Sequence, residues 1–179
     1  MSKYISLTAI GKDRPGIVGA ITKVLYELKC NIEDSTMTIL HGQFAMILIV
    51  ELPLSITLKK LSSDISKKAK RLGLSVSYSP VASVKKKKEK INPYVISVYG
   101  ADKTGIVYNI SKYLAGKKIN ITDVQTAVTN SKIGKTYIML IEAQFPEKIS
   151  VQKVSSELAE ISKSLGLSIS INKAESSEI

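Results

Sequence analysis

Two segments of this sequence carry charged and glycine residues in the same order, and those residue types suit the binding of a small charged ligand. They are GKDRPGIV at residues 11–18 and GADKTGIV at residues 100–107, which lie 89 residues apart. In each, a glycine stands just before a predicted helix, where unpaired backbone N–H groups and the helix dipole attract an anion. Asn31 and Asn120 repeat at the same spacing, and an amide side chain both donates and accepts hydrogen bonds. The repeat therefore predicts a duplicated ligand-binding site.

Each of these residue types also has a structural interpretation, and the sequence leaves both open. The glycines suit a turn with a left-handed backbone, the asparagines suit the left-handed end of a helix, and the aspartates suit a helix cap. Arg14 separates the two interpretations best, because a guanidinium can hold a carboxylate through two hydrogen bonds. The second copy has Lys103 at that position, so we expect the two sites to differ in affinity.

Catalytic and metal-binding patterns are missing from the sequence. No paired carboxylates recur in both copies, and no Ser/His/Asp spacing appears. The single cysteine, Cys30, excludes an internal disulfide, and the single histidine, His41, cannot build a metal cluster. An acylphosphatase-like reaction on Arg14 and Asn31 would lack the rest of its motif. We therefore predict that the protein is not an enzyme and needs neither a metal nor a cofactor.

The net charge of +11 is concentrated in the first half of the chain. Residues 1–90 contain 16 Lys and Arg against 7 Asp and Glu, whereas residues 91–179 contain 10 against 8. Such an excess can attract nucleic acid or an acidic protein, but we favour the simpler explanation of a solvated linker and a solvated helix face. RNA-recognition modules stack bases on several exposed aromatics, and the third strand offers Phe44 alone, so we do not expect nucleic acid as the main partner. The sequence has no membrane-length apolar run and no signal-peptide core, which favours a cytoplasmic location.

Hydrophobic periodicity predicts the same six elements, in the order β-α-β-β-α-β, in each half of the chain. This order is typical of a ferredoxin-like module, an antiparallel four-stranded sheet with two helices on one face and strands 1 and 3 in its centre. The predicted hairpin of the second copy has its strands at residues 120–129 and 136–143. We predict an α+β protein with one module at residues 1–82, a lysine-rich linker at 83–92 and a second module at 93–175.

The predicted third strand is apolar on both faces from Phe44 to Val50. A strand whose second face lies in water should alternate between apolar and polar residues. We therefore expect the helix-free face of the sheet to be at least partly covered, most simply by another subunit of a homo-oligomer. The alternative is ordinary exposed apolar surface, which is common in proteins.

The loop sequence DRPGIV at residues 13–18, followed by Asn31 and Ile32, resembles the ACT domain, a small amino-acid-binding regulatory module with this same element order. The second copy, DKTGIV at residues 102–107 with Asn120 and Ile121, is similar but lacks the Arg-Pro pair. Two such modules without a catalytic domain resemble the glycine cleavage system transcriptional repressor family. The resemblance covers almost the whole chain.

In the ACT family, two modules pair through edge elements into an eight-stranded sheet. Ligands bind between the strand-1-to-helix-1 loop of one module and the start of strand 2 of its neighbour. The resemblance therefore implies two sets of ligand-binding residues. They are Asp13, Arg14, Pro15, Gly16, Ile17, Asn31 and Ile32 in the first copy, and Asp102, Thr104, Gly105, Ile106, Asn120 and Ile121 in the second.

The resemblance and the residue chemistry together predict a regulatory protein that binds a small amino acid at the seam between modules. An amino acid needs donors for its carboxylate beside an acceptor for its ammonium group, and the helix N-terminus and the asparagine provide them. We expect signalling through a regulatory protein partner, in the transcriptional regulation of amino-acid metabolism. The alternative is a constitutive interaction or nucleic-acid-binding module that uses the basic surface.

Overall fold

The computed structural model describes residues 3–81, 92–131 and 134–174. The chain divides into two compact units, Met1–Lys86 and Lys87–Ile179. Residues 83–91 of the predicted linker lie outside the described residues, and the first strand of the second unit begins at Asn92, one residue before the predicted start of that module. Each unit has the order βαββαβ, which confirms the predicted fold class.

Module 1 is a four-stranded antiparallel sheet with the strand order β2-β3-β1-β4, so β1 and β3 are central as predicted. The apolar residues of β1 and β3 that face the helices are buried, and alternate residues face away from them. The elements are β1 (Lys3–Lys12), α1 (Ile17–Glu27), β2 (Asn31–Leu40), β3 (Gln43–Leu52), α2 (Leu58–Leu72) and β4 (Leu74–Val81).

Module 2 repeats this topology with the strand order β6-β7-β5-β8. Its hairpin is longer than predicted, because the pairing continues to Ser131↔Gly134 and β7 extends to Phe145. Near the turn, polar residues interrupt the apolar alternation, but backbone pairing does not require apolar side chains. At the other end of β7, buried Phe145 continues the alternation of Ile141 and Ala143, so the predicted strand ended too early there. The elements are β5 (Asn92–Ala101), α3 (Ile106–Gly116), β6 (Asn120–Ser131), β7 (Gly134–Phe145), α4 (Val151–Leu165) and β8 (Leu167–Lys173).

The second helix of each module has clear start and stop residues. The hydroxyl of Thr57 accepts a hydrogen bond from the Lys60 N–H at the start of α2, and Ser150 has the same role at the start of α4. Both helices end on a left-handed glycine, Gly73 and Gly166. These caps fix where the following strand begins. That strand pairs with β1 or β5, the strand that leads to the candidate loop of its module at residues 13–16 or 102–105.

The helix-free face of each sheet carries apolar side chains among polar ones. On β3, Ala45 and Ile49 are half-buried while Ile47 is 43% exposed, and on β7 Leu140 is 42% exposed. That another subunit covers this face stays a prediction. Ile47 and Leu140 are the residues that such a subunit would be expected to contact. Within the described ranges no helix is long and apolar enough to cross a membrane.

Candidate functional site

The first loop of each module ends on a glycine with a left-handed backbone. Gly16 has a φ of 90° and Gly105 a φ of 89°, and each is the residue from which the helix begins. That conformation favours glycine, so the structural interpretation of these residues is correct. A β-carbon on Gly16 would meet no described atom within 4 Å, so the backbone there is also open to a ligand. On Gly105 it would lie 3.3 Å from Nδ2 of Asn109, which donates to the Gly105 carbonyl.

The aspartates of the loops do not cap the helices, because the capping positions are the glycines. The backbone N–H of Asp13 donates to the carbonyl of Gly42 over 2.8 Å, which ties the loop to the β2–β3 turn. Asp102 lies near Tyr137, whose pKa is raised first by burial and then by the Asp102 carboxylate. The loop conformation therefore depends on neighbouring strands as well as on its own residues.

The basic residues of the loops lie at the C-terminal ends of the second helices. A guanidinium nitrogen of Arg14 is 3.5 Å from the position of a β-carbon on Gly73, at the end of α2. In module 2, Nζ of Lys103 donates to the carbonyl of Leu165 over 3.0 Å, at the end of α4. A cation at the negative end of a helix dipole is stabilising, so these side chains have a structural role that the sequence pattern did not reveal.

The asparagines lie in the strands and not at left-handed helix ends. The left-handed residues after the first helices are Lys29, with a φ of 55°, and Lys118, with a φ of 57°. The helix-ending interpretation of Asn31 and Asn120 is therefore wrong, because the turn is completed before the asparagine is reached. Asn31 begins β2, and its Nδ2 donates to Oε1 of Glu33 over 2.7 Å.

Each asparagine lies in a surface groove between the first helix and the start of the second strand. The β2 groove of module 1 has a volume of about 520 Å³, and the corresponding β6 groove of module 2 about 440 Å³. The strand residues Asn31 and Ile32 in the first, and Asn120 and Ile121 in the second, line these grooves. The two grooves occupy equivalent places, so the duplication extends from sequence to surface shape.

A hydroxyl and a lysine of the first helix also line each groove, and the sequence analysis missed them. They are Thr22 and Lys23 in the β2 groove and Ser111 and Lys112 in the β6 groove. Both hydroxyls donate to helix carbonyls, which leaves their oxygens able to accept from a ligand. A hydroxyl residue followed by lysine at the 89-residue offset is the signal that could have identified them.

The loop and the groove lie at opposite ends of the sheet within one module. Lys12, just before the loop, pairs with Gln43, whereas Asn31 pairs with Glu51 at the other end of β3. Eight residues of strand separate these levels, which is about 27 Å at the usual rise per residue. Module 2 has the same arrangement, with Ala101↔Thr136 and Asn120↔Gln144. One module therefore does not bring the two halves of the predicted site together.

The described residues give no indication of a metal centre, because no three His, Cys, Asp or Glu side chains among them are placed to hold an ion. Burial raises the pKa of the Cys30 thiol, which lies at the edge of the β2 groove. A raised pKa favours the protonated thiol, which is a poor nucleophile. The chemistry of the grooves is that of hydrogen bonding and charge.

Comparison with known families matches the ACT domain model to residues 3–79 and 92–172. A UPF0237 protein of Methanopyrus kandleri is 42% identical over 71 residues, which cover 39% of this chain and 79% of that protein. The glycine cleavage system transcriptional repressor of Escherichia coli is 45% identical over 47 residues, which cover 26% of this chain and 25% of the repressor. The match to the repressor therefore spans about a quarter of this chain and a quarter of the repressor.

Two solved structures resemble the whole chain. A protein of unknown function from Galdieria sulphuraria has a TM-score of 0.84 at 26% identity, covering 98% of this chain and all of its own. A structure assigned provisionally as a glycine cleavage system transcriptional repressor has a TM-score of 0.72 at 18% identity, covering 98% of this chain and 99% of its own. The second likeness supports the tandem fold alone, given its low identity.

Proposed function

Because this chain belongs to the ACT domain family, we propose that it is a non-enzymatic regulatory protein that binds a small amino acid and signals through protein contacts. One observation carries the proposal. Each module has a groove at the start of its second strand that combines an asparagine, a hydroxyl and a lysine. The match to the glycine cleavage repressor supports a role in the regulation of amino-acid metabolism.

The proposed ligand is held at both of its charged ends. Its carboxylate accepts hydrogen bonds from the first N–H groups of a helix that follows Gly16 or Gly105. Its ammonium group donates to the amide oxygen of Asn31 and to Oγ1 of Thr22 in the groove, or to their equivalents in module 2. A ligand that lacks either charged group leaves these polar groups unpaired, which gives selectivity for amino acids.

The proposed site needs two modules, since loop and groove are about 27 Å apart along the strands of one sheet. The loop of one ACT module then contacts the groove of a neighbouring one, in the way that the family resemblance implies. Ligand bound across such a junction favours one arrangement of the modules over others. The surface offered to a partner changes with that arrangement, which couples the amino acid to the signal.

Module 1 offers the better half-sites. The space in front of Gly16 is open among the described residues, whereas Nδ2 of Asn109 occupies the corresponding place beside Gly105. In the β2 groove, Lys23 lies 3.9 Å from a carboxylate oxygen of Glu27, which reduces its repulsion of a ligand ammonium group. Position 116 of module 2, equivalent to Glu27, is glycine. We therefore propose that module 1 contributes most of the affinity.

The test is thermal unfolding of the full chain against each of the twenty amino acids at millimolar concentration. A ligand present at about a hundred times its dissociation constant adds about 2.7 kcal/mol of stability, which raises the midpoint by several degrees for modules of this size. One or two amino acids are expected to raise it. A flat result across the panel would contradict amino-acid sensing.

The site is tested with Thr22→Val and Asn31→Ala, which remove the proposed ammonium acceptors. Both variants are expected to lose the ligand-induced rise in melting temperature. Thr38→Val is the matched control, because Thr38 is exposed on β2 and does not line the groove. Gly16 is a poor test position, since any other residue would be strained at a φ of 90° and would destabilise the fold itself. Full ligand response in the Thr22 and Asn31 variants would place the site elsewhere.

A further inference from the structure

A further groove lies between the two helices of module 1 and is separate from the β2 groove of that module. This α1–α2 groove has a volume of about 350 Å³. Its apolar floor is formed by Val24 and Leu28 of the first helix, of which Val24 is buried and Leu28 half-buried. It is on the helix face of the module, away from the edge where the β2 groove lies.

Module 2 fills the equivalent place with its own side chains. Tyr113, Lys117 and Glu157 correspond to Val24, Leu28 and Asp64 at the offsets of 89 and 93 residues. The Tyr113 hydroxyl donates to Oε2 of Glu157 over 2.8 Å, and Lys117 forms an ion pair with the same oxygen while its Nζ lies 5.4 Å from the Tyr113 ring centre. An aromatic ring with a polar end therefore fits between two helices of this fold at this point.

The rim of the α1–α2 groove is positively charged. Lys67, Lys68 and Arg71 line it, whereas their counterparts in module 2 are glutamate, isoleucine and serine. The whole of α2 has six basic residues and one acidic residue, against two of each in α4. Within the described ranges neither Lys68 nor Arg71 forms an ion pair, while Asp64 is paired with Lys60 over 2.9 Å. The rim therefore keeps positive charge for a partner.

We propose that the α1–α2 groove of module 1 binds an acidic segment of a partner protein. An apolar or aromatic side chain of that segment occupies the place that the Tyr113 ring takes in module 2, and its carboxylates face Lys68 and Arg71. A protein segment fits better than nucleic acid, because the floor of the groove is apolar and a protein segment can place an apolar side chain there beside its carboxylates. A nucleic-acid backbone presents phosphates and sugars and has no apolar side chain to cover that floor.

The α1–α2 groove would be the partner surface of the regulatory protein proposed above. Peptide binding to it can be measured without assuming that function, although its biological role rests on the proposed function. The probe is a display library of random twelve-residue peptides, selected on the full chain at physiological salt. Selected peptides are expected to carry several Asp or Glu residues around an aromatic or large aliphatic side chain. Selection of no peptide, or of peptides without acidic enrichment, would overturn the proposal.

The selected peptides are then synthesised, and their affinities are measured against three variants. Lys68→Glu with Arg71→Glu is expected to weaken binding at least tenfold. Lys59→Glu with Lys70→Glu makes the same charge change on α2, but these residues project from another side of the helix and do not line the groove. That control is expected to stay within about threefold of the parent chain, the size of a screened surface charge effect. Equal losses of peptide affinity in the two variants would show that net charge alone attracts the peptides, which would overturn the proposal.

The third variant transfers the module 2 residues into module 1, as Val24→Tyr, Leu28→Lys and Asp64→Glu. This change is expected to fill the groove and to weaken peptide binding at least tenfold, with the melting temperature as a check on folding. Unchanged peptide binding in this variant would overturn the proposal. So would a twenty-base-pair DNA duplex that displaces the peptides and whose own binding depends on Lys68 and Arg71 but not on the transferred module 2 residues. Because the peptide assay needs no amino acid, a flat amino-acid panel with intact peptide binding would contradict the proposed function and leave this surface standing.

Discussion

Gly11 lies where β1 passes closest to the start of β4, two residues before the candidate loop. A β-carbon at this position would lie 2.8 Å from the carbonyl oxygen of Gly73 and 2.8 Å from Cδ2 of Leu74. Real β-carbons do not come so close to other heavy atoms, and the oxygen belongs to the backbone cap of α2. Gly11→Ala therefore has to separate β1 from β4, and overpacking of this kind costs about 1–3 kcal/mol.

Module 2 has the same close approach, which allows the prediction to be tested twice. A β-carbon on Gly100 would lie 2.7 Å from Cδ2 of Leu167 and 2.9 Å from the carbonyl oxygen of Gly166. The matched control is Gly19→Ala in α1, where a β-carbon would meet no described atom within 4 Å. Alanine is better than glycine inside a helix, so this control is expected to add about 0.5–1 kcal/mol.

The assay is thermal unfolding of each variant in the full chain. For modules of this size, 1 kcal/mol changes the melting temperature by about 4–8 °C, so Gly11→Ala and Gly100→Ala should melt at least about 4 °C lower. Gly19→Ala should melt higher than the parent chain. Two modules can unfold in separate steps, and the Gly11 and Gly100 variants then identify which step belongs to which module. A Gly11→Ala protein that melts at the parent temperature would refute the steric reasoning.

Two further predictions concern module 2. Lys103→Met removes the hydrogen bond to the Leu165 carbonyl and should lower the free energy of unfolding by about 0.5–1.5 kcal/mol in urea, whereas Lys103→Arg should keep most of it. The hydrogen bonds from Lys117 and Tyr113 lower the pKa of Glu157 below its usual 4.5, so its charged form stabilises the fold above that pH and this stability is lost as the pH falls through the folded-state pKa. Urea unfolding between about pH 5 and pH 3 should therefore depend less on pH in Glu157→Gln, and an unchanged slope would contradict the assignment.

Local patterns in the sequence were sufficient to predict the elements of each module. Apolar spacing in α1 and α2, alternation in β1 and the continuous apolar run of β3 identified helices and strands, because each element buries one face against the same core. The prediction was less accurate at the β6–β7 hairpin, where pairing depends on backbone geometry and not on side-chain type. Boundaries of that kind carry little hydrophobic signal.

The candidate site was harder to predict, because its geometry depends on contacts between distant segments. Arg14 lies two residues after the end of the first strand, yet its side chain lies at Gly73, at the far end of α2. The sequence could not place the Asn31 end of the sheet some 27 Å from the loop, because that distance follows from the register of β1 and β2 on β3. The hydroxyl–lysine pair at Thr22 was visible as a repeat, but its meaning depended on knowing which side of α1 faces outward.

Comparison of the two modules separates what the fold requires from what a function requires. Both keep the left-handed glycine and the close-approach glycine, which the backbone demands in any copy of this fold. They differ where module 2 occupies space with its own side chains, Asn109 beside the loop glycine and Tyr113 between the helices. Module 1 leaves both places open and carries the basic second helix. Variants that impair binding without loss of stability are therefore expected mainly in module 1, whereas variants of Tyr113 and Glu157 should act through stability.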